Sequence, residues 1–431
     1  MPFESFPDPR RKIAVIGGGI SGMGAATMLG QAHDVTLFEA ESRLGGHART
    51  IVAGRNGDQP VDTGFIVFNY ANYPHLTRLF QTLDVPVVKS DMSFGASLQG
   101  GRLEYGLRDL KAVFAQKRNV VNPRFLGMLS DVLRFNAQAL DMARDESLTL
   151  GQFLEKLGTG DWFRDYYLLP LSGAIWSTPT EKILDFPAYA LIRFFENHAL
   201  LSHEGQHQWY TVKGGSAAYV SRLEAQMRRQ GVVIRTGTPI AGVRRSPGKA
   251  EVRAHGGDWQ AFDEVVFATH SDDALALLSD PTAHEAQSLG AVAYQPNKIV
   301  LHADASVMPK RKRCWSSWNY TETARKEMNA IDLTYWMNCL QPIPESDPMF
   351  VTLNSTRPIR EDLIYDECTL RHPVFDLGAL AAQKKMAAMN GLRRTWFCGA
   401  WMKNGFHEDG LSSAVDVARA ILDRHRMAAA A

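Results

Sequence analysis

Residues 12–40 read KIAVIGGGISGMGAATMLGQAHDVTLFEA, and this stretch decides the fold. Lys12 to Ile16 reads as a short buried strand, and Gly17 ends it at once. Ile20 to Gln31 is rich in Ala, Met and Gly and predicts a helix; Asp34 to Glu39 predicts a second strand. Strand, turn, helix and strand within about 30 residues make a β-α-β unit. Its turn is G-x-G-x-x-G, spelled Gly17-Gly18-Gly19-Ile20-Ser21-Gly22. Gly17 permits the tight turn, Gly19 lets the backbone approach a pyrophosphate, and Gly22 lets helix pack on strand. The helix N-terminus, with Ile20 and Ser21, then faces the phosphates. Glu39 stands 17 residues after Gly22, where a carboxylate accepts from a ribose hydroxyl. A merely structural turn leaves Glu39 unexplained, so a dinucleotide site is the stronger reading.

Beyond this unit the texture changes twice. From Arg102 to about Glu204 apolar residues recur at helical spacing, as in Phe125, Leu129, Val132 and Phe135. From Trp209 the α/β character returns: a helix over Ser216 to Gln230, and strands at Val232–Arg235, Ala250–His255 and Glu264–Ala268. Tyr294 to Phe350 reads as sheet, Thr395 to Cys398 as a strand, Leu411 to Arg424 as a helix, and Met427 onward as a frayed tail. The expected class is α/β: a Rossmann-like domain from residues 1–75, 208–290 and 389–431. An interleaved α+β substrate domain takes 76–207, mostly helical, and 291–388, mostly sheet.

The chain has 431 residues, enough for such an arrangement at about 100–200 residues per domain. Its formal net charge of +1 argues against nucleic acid as the main partner. Cys314, Cys339, Cys368 and Cys398 show no C-x-x-C spacing, so reduced thiols and a cytoplasmic setting are expected. Met1 to Lys12 holds no apolar stretch, so no secretory signal is expected, and no apolar run spans a bilayer.

Further motifs carry a family resemblance. Glu39-Ala40-x-x-Arg43-Leu44-Gly45-Gly46-His47-x-x-Thr50 resembles the second glycine signature of flavin-dependent amine oxidases, phytoene desaturases and protoporphyrinogen oxidases. Asp62-x-Gly64-Phe65 is similar to the segment that follows it, and Pro239–Val243 to the middle segment, where Val243 would touch adenosine. Gly399-Ala400 and Gly410-Leu411-Ser412 resemble the closing motif, where a helix start points at the flavin pyrimidine. The resemblance implies a glutathione-reductase-type, amine oxidase-like fold and non-covalently bound FAD. Two positions depart from it: His47 stands where the family carries Arg, and Ala400 where it carries an acid. The Leu-Gly-Gly-His motif, Asp62-Thr63-Gly64-Phe65-Ile66-Val67-Phe68-Asn69 and Trp315-x-x-Trp318-Asn319-Tyr320 look like a bacterial branch encoded beside cyclopropane-fatty-acid-synthase-like methyltransferases. That branch implies desaturation of a methyl-branched acyl chain, as in furan fatty acid synthesis, with a phospholipid substrate and a methyltransferase of the same pathway as a partner. An amine or small-metabolite oxidase, a polyene isomerase and a non-catalytic lipid-binding flavoprotein are the alternatives.

Catalytic candidates are His198, His203 and Tyr210, on the segment leading back into the flavin domain, and His407, just before the closing motif. An imidazole titrates in the range that proton transfer needs, although an exposed His is the plainer reading of His407 and a polar loop at the domain junction that of the other three. Asn69, Tyr73, Trp315, Trp318, Asn319 and Tyr320 are candidate substrate contacts, against the plainer reading that strand aromatics are core. His203-Glu204-Gly205-Gln206-His207 spells H-E-x-x-H, but Gly205 and the strand-like residues after it argue for a loop, and no metal is expected. Bases at Arg102, Arg108, Lys111, Lys117, Arg118, Arg124 and Arg134, and at Lys310–Arg313, suggest peripheral contact with the inner face of the cytoplasmic membrane. A solvated helix face is the alternative.

Overall fold

The strand Lys12–Ile16 is central in a five-stranded parallel sheet. The order is Val233–Arg235, Asp34–Phe38, Lys12–Ile16, Glu264–Phe267, Thr395–Phe397, so three separated stretches of chain build one sheet. The computed structural model describes residues 10–145, 147–176, 183–197, 201, 207–324 and 332–430. A parallel sheet covered on both faces wants near-continuous apolar strands. Ile13, Ala14, Val15 and Val266 are accordingly fully buried.

One face of this sheet carries the helices Ile20–Leu29, Ala217–Arg229 and His407–Ala430. Ile20–Leu29 is buried nearly all round, which explains its small residues: a Cβ on Gly24 would lie 2.6 Å from Leu411 Cδ1. The other face carries an antiparallel meander, Ile240–Ser246, Lys249–Ala254 and Trp259–Phe262.

A seven-stranded mixed sheet forms the second layer system, in the order Ile364–Val374, Ala293–His302, Phe350–Leu353, Asp332–Trp336, Trp318–Thr321, Phe94–Leu98, Leu103–Gly106. The helices Pro123–Met142, Leu150–Leu157 and Ala188–Asn197 pack a common core against it, including Phe125, Phe135, Phe153 and Phe195.

Local expectations hold with three corrections. Leu103–Gly106 is a strand inside the stretch read as helix, because Leu103, Glu104 and Tyr105 are all buried as an edge of the second sheet. The closing helix begins at His407, not Leu411, since Glu408 and Asp409 place carboxylates in its first turn. It continues to Ala430, through most of the tail read as frayed. Cys314, Cys339, Cys368 and Cys398 are all free.

Candidate functional site

The carboxyl ends of the parallel strands converge on the two glycine loops. Gly17 has φ +106°, and its N–H donates to Phe38 O at 2.8 Å. A Cβ on Gly22 would lie 1.8 Å from Gly17 O, so only glycine closes this turn. Gly19 differs: a Cβ there meets nothing within 4 Å. Its backbone therefore fronts open space at the start of Ile20–Leu29, whose first N–H groups have no intrahelical acceptor.

The second loop lies against the first. Gly45 N–H donates to Gly18 O at 2.8 Å, and a Cβ on Gly46 would sit 3.1 Å from Gly19 Cα. Arg43 holds this loop's shape, donating to Ala48 O at 3.2 Å and Gly46 O at 3.0 Å and pairing with Glu41 at 3.1 Å. Glu39 ends its strand beside the gap; Oε2 accepts from Gly18 N at 2.6 Å and Oε1 from Glu41 N at 2.8 Å. Ala40 follows in the loop itself. Gly64 meets the second loop closely, because a Cβ on it would lie 2.0 Å from His47 O, which also accepts from Phe65 N at 2.8 Å.

The closing motif arrives from below. A Cβ on Gly410 would lie 2.8 Å from Ser21 Oγ and 3.1 Å from Ile20 Cγ2. Ser413 Oγ accepts from Gly399 N at 2.9 Å, fixing the Gly399-Ala400 turn. Leu411 is buried in the core, and Ser412 Oγ accepts from Lys403 Nζ at 2.5 Å. Val243 is wholly buried in the meander core, with its carbonyl accepting from Ser279 N at 2.8 Å.

An open cradle between two glycine loops, a helix start and a strand-end carboxylate fit a dinucleotide such as FAD. Gly17, Gly19, Gly22, Gly45 and Gly46 would supply the close backbone approach, and Glu39 the ribose contact.

Asp62, quoted in the resemblance but not as a site residue, is the hub of this region. Its buried carboxylate accepts from Thr50 Oγ1 at 2.6 Å, Ser216 N at 2.8 Å, Ser216 Oγ at 2.7 Å and Gln341 Nε2 at 2.9 Å. Burial pushes its pKa up to about 6 against these bonds. Four donors tie the strand Thr50–Ala53, the start of the helix Ala217–Arg229 and Gln341, which follows the short helix Met337–Leu340, to one carboxylate.

His407 lies on the first turn of the closing helix and stacks on Phe65, with centroids 3.9 Å apart and planes at 11°. Its Nε2 lies 2.6 Å from Tyr219 Oη. Burial, then the charge of His47, pushes its pKa down to about 3. Burial likewise holds the Tyr219 phenol well above its ordinary value, so both groups are neutral.

Three further imidazoles gather at the seam. His47 Nε2 lies 3.2 Å from Arg371 O, and its ring is 5.8 Å from His270 and 5.4 Å from His372. Burial first of all pushes His270 and His372 down to about 3. Sequence reading missed both. His270 had a signal, since it follows the end of the strand Glu264–Phe267, where ligands of open α/β sheets bind. Asp272 and Asp273 beside it make the only metal-type grouping among the described residues, and Arg371 bridges both carboxylates, at 2.5 and 2.6 Å.

The other candidates separate. His198 and His203, with most of the H-E-x-x-H stretch, lie outside the described residues. Tyr210 packs on Tyr70 and Phe68, at 4.9 and 6.1 Å. Tyr73 is buried against Trp209 and Phe68. Asn69 is fully buried; Oδ1 accepts from Asn72 N at 2.8 Å, while Nδ2 has no partner. Trp315 belongs to a small core with Met308, Trp336 and Phe350 and donates to Pro309 O at 2.8 Å. Asn319 is fully buried on the strand Trp318–Thr321; its Oδ1 accepts from Ser316 N at 2.9 Å and its Nδ2 donates to Ser316 O at 2.5 Å. Tyr320 is core and donates to Glu322 at 2.9 Å. Trp318, half-buried and 5.4 Å from Tyr335, stays partly open.

Comparison with known proteins agrees with this geometry. The family described as "Flavin containing amine oxidoreductase" matches residues 20–348. A chloroplastic/chromoplastic zeta-carotene desaturase of Zea mays is 35% identical over 79 residues, which cover 18% of this chain and only 13% of that protein. Among solved structures, a CLA-producing fatty acid isomerase from P. acnes is similar at TM-score 0.68 and 16% identity, covering 95% of this chain and 98% of its own. Cyclohexylamine oxidase from Brevibacterium oxydans IH-35A is similar at TM-score 0.66 and 16% identity, covering 96% and 99%. At these identities the structural likeness speaks for the fold.

Proposed function

The chain belongs to the flavin-containing amine oxidoreductase family and is an FAD-dependent oxidoreductase, and from that premise we propose that it dehydrogenates a lipid acyl chain. The substrate we infer is a methyl-branched unsaturated fatty acyl group, carried by a phospholipid, whose branch an upstream methyl transfer would install.

The observation that carries this reading is the company His407 keeps. Phe65 stacks on it, and the adjoining Phe406 stacks on Phe194 at 4.7 Å. The two acids that follow His407 in the chain, and Asp62, are already engaged: Glu408 by His75 N and Leu76 N, both at 2.9 Å, Asp409 by Phe406 N at 2.9 Å, and Asp62 by four donors. A neutral imidazole among aromatic rings suits an apolar substrate better than a charged amine, which wants an uncommitted carboxylate.

Bound FAD supplies a two-electron acceptor for hydride. The protein must also take a proton from the neighbouring carbon. In this reading His407 Nδ1 would accept it, while Tyr219 holds Nε2. Burial makes the imidazolium unfavourable, so a proton taken there is passed on rather than stored. The same property favours a second reading, isomerisation, in which both the hydride and the proton would return to the product chain.

Anaerobic mixing of holoprotein with a methyl-branched unsaturated phosphatidylglycerol tests both. Desaturation bleaches the flavin and lowers the lipid mass by two hydrogens. Isomerisation moves the double bond at unchanged mass. Oxidised flavin and untouched lipid, with bleaching by amines instead, would overturn the lipid reading.

A further inference from the structure

The segment from Arg102 to Leu140 groups six exposed aliphatic side chains, whereas Val52, Val233, Leu377 and Leu392 stand singly along the chain. Leu110 is 77% exposed, Val121 80%, Leu133 59%, Val120 52% and Leu126 43%. On the helix Pro123–Met142, Phe125, Met128, Phe135 and Ala139 fill the core, while Leu126, Leu133 and Leu140 recur at every seventh residue on the outside. This helix has two apolar faces, and protein covers one. Scattered exposed aliphatics need no explanation, but a grouped set marks an interaction surface.

The grouping has a sharp end. Val120 and Val121 close the short turn Lys117–Val121, just before Pro123 begins the helix. Leu110 opens the turn Leu110–Val113, capped by Asp109, whose carboxylate accepts from Ala112 N at 2.8 Å. Arg102, Arg108, Lys111, Lys117, Arg118 and Arg124 are all exposed around these aliphatics. The turn Lys312–Cys314 packs against Leu110–Val113 and adds the exposed Lys312 and Arg313. Glu345 pairs with Lys312 at 3.7 Å and Asp109 with Arg108 at 3.6 Å, but Arg102, Lys111, Lys117, Arg118 and Arg124 have no ion-pair partner among the described residues. Between residues 102 and 126 only Glu104 and Asp109 are acidic; Glu104 is fully buried and paired with Arg311 at 2.6 Å.

We propose that this face docks on an anionic phospholipid bilayer, with Leu110, Val120 and Val121 entering the boundary between headgroups and acyl chains while the surrounding bases meet lipid phosphates. Charge decides the occupant. A second copy of the chain would bring the same basic ring against itself in a symmetric contact, whereas anionic headgroups neutralise it. Bases beside a short aliphatic tip are the pattern of a protein that lies on a membrane and does not cross it. Among the described residues no helix is long and apolar enough to span one. The inference is independent of the acyl-chain reading, because it needs only lipid headgroups.

Flotation of holoprotein with vesicles tests it. Wild type is expected to float with phosphatidylglycerol in phosphatidylcholine, less at high salt, and to stay behind with phosphatidylcholine alone. The double variant Val120→Asp/Val121→Asp should lose at least tenfold in partitioning. Lys117→Ala and Arg118→Ala should each lose about fivefold. All should keep wild-type flavin content and melting temperature, since these side chains are exposed. Vesicles made of unbranched, non-substrate lipid keep this result separate from catalysis. Failure of wild type to float on anionic vesicles, or flotation of the double variant like wild type, would overturn the proposal. So would a dimer that Leu133→Asp dissociates in the absence of any vesicle binding.

Discussion

Replacing Gly19 by alanine separates folding from cofactor binding, and Gly22→Ala is its control. At Gly22 the new methyl would lie 1.8 Å from Gly17 O, with Ala268 Cβ at 3.2 Å. Strand and helix must then part, and the loss resembles overpacking of a core, about 1–3 kcal/mol or more. At Gly19 the methyl meets nothing within 4 Å, and φ −73° is open to any residue. The apoprotein should lose only the poorer helix cap, at most about 1 kcal/mol. The methyl nevertheless points into the space assigned to pyrophosphate. Displacing the phosphates breaks at least one or two charge-assisted N–H bonds, each about 1.5–3 kcal/mol. Together these come to about 3 kcal/mol, roughly a hundredfold in Kd. Flavin titration of the apoprotein reads the affinity, and thermal unfolding by circular dichroism reads the fold. The expected result is a nearly wild-type melting temperature with flavin affinity down about a hundredfold for Gly19→Ala, and a clearly lowered melting temperature for Gly22→Ala. Tight flavin binding by Gly19→Ala would refute the placement of the phosphates. Equal destabilisation by both variants would refute the open cradle.

Tyr219→Phe should leave flavin content unchanged but slow turnover about tenfold, because His407 loses the partner that orients it; unchanged turnover would remove His407 from the reaction. Asp62 has its folded pKa raised to about 6, so the native state holds a proton that the unfolded chain has released. The stability it adds is complete below the unfolded value near 3.8, is lost as pH rises through about 6, and amounts to about 3 kcal/mol at most. Asp62→Asn should abolish that pH dependence in denaturant titrations of the apoprotein. His270 and His372 act oppositely: their folded pKa values lie near 3, so between 6.5 and 3 the unfolded chain binds protons that the native state refuses, and stability falls with pH. His372→Gln should therefore shift the acid-unfolding midpoint of the apoprotein to lower pH, and an unshifted midpoint would place that histidine outside the buried cluster. Arg371→Met releases both Asp272 and Asp273 from the cation they share, and apoprotein stability should drop by about 1 kcal/mol, less at high salt, as expected for a half-exposed pair.

The sequence carried the strand-turn-helix setting of the glycine loop well because its constraints are local. Gly17, Gly22 and Glu39 belong to one β-α-β unit, and their spacing follows from strand and helix geometry. Proton-handling groups were harder to see. Phe65, Tyr219 and His407 are scattered along the chain, and no spacing rule joins them. The tryptophan motif misled for a related reason: an aromatic on a strand can face a cavity or a core, and alternation alone does not say which. Trp315 and Tyr320 proved to be core, and Asn319 is buried and bonded to Ser316.

By itself, then, the sequence determined the nucleotide-binding unit, its placement at the chain's start, and the closing motif near its end. Those are short-range facts, set by where a Cβ can fit and where a carboxylate must stand. Tertiary structure alone decided that Asp62 joins Thr50 to Ser216 and Gln341, that His47, His270 and His372 meet at one seam, and that Leu126, Leu133 and Leu140 are left uncovered. Burial is a property of the assembled chain. It sets which histidines stay neutral, which acids hold their protons and which apolar face still lacks a partner.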